Sequence, residues 1–119
     1  MTSIFSAKFK TTRQYVKAPL SDAEFNFPLA YSIVIHKDAG LVERLLRSIY
    51  RPQNFYCFHV DRKASAEFYN AINDISKCFP NVFMSEREDV IYGGYSRLQA
   101  DLNCMKKLTA VSLKHLFLE

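Results

Sequence analysis

Two apolar runs that each stop abruptly in charge, a helix length apart, constrain this chain more than any other feature. Tyr31-Ser32-Ile33-Val34-Ile35 gives way to His36-Lys37-Asp38, and Tyr56-Cys57-Phe58-His59-Val60 gives way to Asp61-Arg62-Lys63. Between them Leu41, Leu45, Leu46 and Ile49 recur at helical spacing. Strand, helix, strand, with polar residues at each strand's carboxyl end, is the pattern of a βαβ unit. Open α/β sheets bind ligands in the crevice outside the carboxyl ends of their strands. His36 and Asp61 are therefore the first candidates for chemistry.

The rest of the chain continues the alternation. Residues 1–26 read as a polar, basic lead-in, with Tyr15, Val16 and Phe25 as isolated apolar points that dock on a surface rather than form a core. Ser21, three residues before Glu24, is a plausible N-cap within it. Residues 27–119 carry the α/β body. Its first strand, Leu29 to Ile35, is apolar on both faces apart from Ser32, as a buried parallel strand should be. The helix that follows, Leu41 to Tyr50, turns Glu43, Arg44 and Arg47 to water, with Glu43 and Arg47 spaced for an ion pair. A second helix spans Ser65 to Phe79, capped by Ser65, with Phe68, Ile72, Ile75 and Phe79 on one stripe. Val82 to Met84 is a short strand. Val90-Ile91-Tyr92 runs into Gly93-Gly94, a pair that permits close approach to a ligand or simply forms a loop. A third helix, Ser96 to Lys107, points Leu98, Leu102, Met105 and Leu108 inward. Another apolar run, Leu113 to Leu118, begins just before the last residue, so the chain reads as truncated, with an unpaired sheet edge.

Several function classes are disfavoured. The net charge of +4 is a mild excess, and the basic residues are scattered rather than gathered into the stripe of a nucleic-acid reader. An anionic small ligand suits such a balance. No apolar run approaches the ~20 residues needed to cross a bilayer, and the N-terminus lacks the charged-then-apolar order of a signal peptide. There is no GxSxG, HExxH, P-loop or GxGxxG motif, and no CxxC pair for a structural zinc. His36, His59 and Asp61 are too scattered to argue for a metal, and His59 reads more simply as a strand histidine with a structural partner. Asp61-Arg62-Lys63 offers one carboxylate, not an Asp-any-Asp pair, and Glu86-Arg87-Glu88-Asp89 reads as a solvated charge run. The three cysteines, Cys57, Cys78 and Cys104, are an odd number, so one thiol is free or has a partner elsewhere; all three buried as free thiols is equally open.

Three strings, in order and spacing, carry a resemblance. They are Phe27-Pro28-Leu29-Ala30-Tyr31-Ser32-Ile33-Val34-Ile35-His36; Arg44 to Tyr50 with Pro52 to Cys57 and His59-Val60-Asp61; and Ser96 to Met105. From Pro19 to about Leu108 the chain resembles the β-1,6-N-acetylglucosaminyltransferases that build core 2 and I-antigen branches. The resemblance implies a Rossmann-like half of a GT-A domain, in a Golgi enzyme facing the lumen through an anchor not found in this sequence. It implies transfer of GlcNAc from UDP-GlcNAc to a 6-hydroxyl of galactose or GalNAc, with inversion and without a metal cofactor. By position, Val34, Ile35, His36, Asp61 and Tyr92 would hold the uridine, with Asp61 accepting a hydrogen bond and Tyr92 stacking on the base. It also implies a Cys57–Cys104 disulfide, and leaves Cys78 without its usual upstream partner. The family's catalytic glutamate and its diphosphate-clamping basic residues match nothing here. The chain is thus expected to carry the donor-nucleotide part and to be inactive alone; the other reading is a non-catalytic fragment that binds UDP or a partner protein.

Overall fold

A computed structural model describes residues 4–91 and 94–118. In chain order these form α1 (Ile4–Thr12), α2 (Asp22–Phe25), β1 (Ala30–Ile35), α3 (Ala39–Ile49), β2 (Phe55–Val60), α4 (Ala66–Ser76), β3 (Val82–Met84) and α5 (Tyr95–Leu118). The strands make one parallel sheet in the order β1-β2-β3, with α3 and α4 as the crossovers. The α/β class and the βαβ reading hold. Local chemistry sets the helix starts: the Ser21, Asp38 and Ser65 side chains accept the N–H groups of Glu24, Leu41 and Phe68. Each satisfies a donor that the first helical turn leaves free.

Alternation along β2 divides the molecule into layers. Tyr56, Phe58 and Val60 point into a core shared with Val42 and Leu46 of α3 and with Phe68 and Ile72 of α4. Cys57 and His59 point the other way, toward α5, and the Cys57–Cys104 disulfide joins the two elements. Asp101 of the same helix accepts the Ser32 hydroxyl of β1 at 3.0 Å.

Three readings of side-chain direction are corrected. In α3, Leu41 and Leu45 are exposed, whereas Val42, Leu46 and Glu43 are buried. Glu43 is inside because the Tyr15 hydroxyl donates to its Oε2 at 2.6 Å, and Arg13 and Arg47 lie 3.7 and 3.9 Å from its Oε1. That pairing also carries Tyr15 into the core, where it packs on Phe9, Tyr50 and Phe79; it is not a surface point. In α5, Leu98, Leu102 and Met105 are exposed and Ala100 and Cys104 are fully buried. The disulfide and the Ser32–Asp101 bond fix that rotation, and small residues let the helix lie close to the sheet. The helix also runs on through the apolar residues near the C-terminus, to Leu118.

Candidate functional site

The carboxyl ends of β1 and β2 finish level. Val34 lies opposite His59 and Ile35 opposite Val60, and the Asp61 N–H donates to the Ile35 carbonyl at 2.9 Å. His36 and Asp61 therefore leave the sheet side by side, His36 exposed and Asp61 nearly buried. Val34 is half-buried and Ile35 is in the core. Tyr92 lies outside the described residues.

Asp61 is held by the chain that passes over it. Its Oδ1 accepts the N–H groups of Lys63 at 2.9 Å and Val90 at 3.4 Å, and its Oδ2 lies 3.7 Å from the Lys63 ammonium. Burial opposes ionisation, but these donors and the Lys63 charge outweigh it and hold the carboxyl below the usual carboxylate range. Oδ1 is committed to the backbone, so Oδ2 is the atom left to meet a ligand.

The covering segment, residues 85–91, is stitched to the β2 end at several points. The Arg87 guanidinium donates to the carbonyls of Val60, Asp61 and Arg62 at 3.2, 2.9 and 3.4 Å, and sits 4.5 Å above the Tyr69 ring. Arg62 answers with its N–H to the Glu88 carbonyl and its guanidinium to the Arg87 carbonyl. The Lys63 ammonium donates to the Val90 carbonyl. Residues 86–89 are thus a strap, not the solvated charge run that their composition indicates. Each bond joins residues about 25 apart or more, which no local pattern reveals; the one hint is an arginine within three residues of an apolar triplet.

His59 is fastened to the strap. It is fully buried, and its Nε2 accepts the Glu88 N–H at 2.9 Å. Burial lowers its pKa, so it is neutral with its proton on Nδ1, which has no well-formed partner. Among the described residues, no three His, Cys, Asp or Glu side chains converge as a metal would require.

The first turn of α3 begins just past His36, at its Asp38 cap. Asp38, with a left-handed backbone at φ 67°, caps it through the Leu41 N–H at 3.1 Å. A carboxylate therefore stands where a bare helix N-terminus would attract phosphate. Two acids and an imidazole at adjoining strand ends suit the hydroxyl and N–H donors of a ligand better than its anionic groups.

The family model for the Core-2/I-Branching enzyme matches residues 29–117. A human N-acetyllactosaminide β-1,6-N-acetylglucosaminyl-transferase is 52% identical over 104 residues, covering 87% of this chain and 26% of that protein. A human β-1,3-galactosyl-O-glycosyl-glycoprotein β-1,6-N-acetylglucosaminyltransferase is 52% identical over 113 residues, covering 94% of this chain and 26% of its own length. A rat enzyme, β-1,3-galactosyl-O-glycosyl-glycoprotein β-1,6-N-acetylglucosaminyltransferase 3, is 54% identical over 101 residues, covering 84% and 23%. The chain spans about a quarter of the length of these relatives. With three-quarters of its residues inside the family match and half of them identical to branching transferases, the chain belongs to the Core-2/I-Branching enzyme family.

Proposed function

We propose that this chain is the donor-nucleotide part of a β-1,6-N-acetylglucosaminyltransferase. The whole enzyme would transfer GlcNAc from UDP-GlcNAc to a 6-hydroxyl of galactose or GalNAc on a glycan, inverting the anomeric centre and using no metal, on the lumenal side of the Golgi. In this reading the end of β1, at Val34, Ile35 and His36, holds the uridine, the Oδ2 of Asp61 accepts a hydrogen bond from the ring or the ribose, and Tyr92 stacks on the base. The observation that carries it is the level ending of β1 and β2, which sets His36 beside an ionised and immobilised Asp61. An immobilised acceptor costs little further ordering when a ligand arrives. An inverting transfer also needs a base on the acceptor hydroxyl and cations at the departing diphosphate. No residue of the crevice is assigned either task, so the chain is proposed to bind the nucleotide and not to turn it over.

Titration of the 15N-labelled chain with UDP tests the seat. Shifts at the amides of His36 and Asp61 are expected, with binding at least tenfold weaker in Asp61→Asn, which keeps Oδ1 for the backbone but removes the charge. An unperturbed strand end would leave the second reading, a fragment that binds a partner protein without nucleotide.

A further inference from the structure

We propose that the outer edge of β3 is a docking site for an extended peptide bearing acidic side chains, separate from the strand-end crevice. In the parallel ladder the Asn81 carbonyl accepts from Tyr56 N–H, and the Ser85 N–H donates to the Phe58 carbonyl. Backbone groups alternate in direction along a strand, so residues 81, 83 and 85 turn theirs to β2. Val82 and Met84 turn theirs outward, and among the described residues no strand lies beyond them. Such an edge is usually blunted by shortness, by a charge, a proline or a bulge on the strand, or by a covering helix or loop; of these β3, at three residues, has the shortness. Val82-Phe83-Met84 has neither charge nor proline, and its register with β2 is unbroken.

The edge opens into space of the right size. A cavity of about 650 Å³ lies between β3 and α4, bordered by Tyr69, Asn73, Lys77 and Lys107. A second, of about 260 Å³, adjoins it on the α5 side and shares Met84 and Lys107. Together they follow both faces of the strand, where the alternate side chains of an added strand would sit. The charge is one-sided: Lys77, Lys106 and Lys107 are exposed, and none forms an ion pair among the described residues, against the single carboxylate of Glu86. A second copy of this chain is a poor occupant, since pairing β3 with β3 would bring the lysines of both copies together without a carboxylate on either strand. A nucleic acid has no peptide backbone to complete the ladder.

The probe is a blocked ten-residue peptide of alternating valine and glutamate, titrated into the 15N-labelled full chain. Shifts and slowed exchange are expected at the amides of Val82 and Met84. Lys77→Glu with Lys107→Glu, both at exposed positions, should weaken binding at least tenfold, as should raising the salt, and N-methylating alternate amides of the peptide should abolish it. Equal binding of a valine-lysine peptide, equal binding of the N-methylated peptide, or shifts confined elsewhere would overturn the proposal. So would sedimentation showing a dimer that the peptide fails to dissociate.

Discussion

Glu43 and His59 are ionisable groups taken out of water, Glu43 held by the Tyr15 hydroxyl and flanked by Arg13 and Arg47, His59 held by the Glu88 N–H. The Tyr15 hydroxyl, 28 residues away, is the short donor to Glu43, so Tyr15→Phe keeps the ring packing and removes the bond. A loss of about 1–3 kcal/mol is expected from a buried acceptor deprived of its donor, read by urea denaturation. His59 works in the opposite sense to a salt-bridged histidine. Burial lowers its folded pKa below the usual 6.5, so the unfolded chain takes up a proton that the folded chain refuses. Its contribution is complete above the unfolded pKa and is lost as pH falls from there through the folded value. Urea midpoints at pH 7.5 and 5.5 should show that decline, and His59→Gln, which can still accept from Glu88, should show less of it. The sequence points to a structural His59, because a polar residue on a buried strand needs a partner. Glu43 is misplaced by the same reasoning, since a helical stripe counted from apolar residues assigns every acid to solvent.

At the scale of elements, the strap and α5 depend on long-range fastenings. The Cys57–Cys104 bridge closes a separation of 47 residues, worth about 4 kcal/mol in the chain-entropy account. Cys57→Ala with Cys104→Ala should lose that order of stability to urea and speed amide exchange along α5. Arg87→Ala removes the donor shared by three carbonyls at the β2 end. It should raise exchange at Glu88 and Val90 by about tenfold, one hydrogen-bond network's worth of about 1.4 kcal/mol, with the α3–α4 core unchanged. The existence and order of α3, α4 and β3 are legible from periodicity and caps. The facing of α3 and α5 is not, because small Ala100 and Cys104 contact the sheet while larger leucines stay out.

For the molecule as a whole, the purified chain is expected to bind UDP and to show no release of UDP from UDP-GlcNAc with or without a galactoside acceptor; turnover would refute the inactivity proposed for it. The sequence by itself determined the parallel β-α-β order and the polar residues at the strand ends, since both follow from local alternation, helical spacing and capping chemistry. Family membership was legible too, in strings that need no folding to be read. Only the tertiary structure decided that Glu43 and Tyr15 meet inside, that a charged run straps the β2 end, and which face of α5 meets the sheet. Those depend on contacts between residues dozens of positions apart, whose free energy no local window contains.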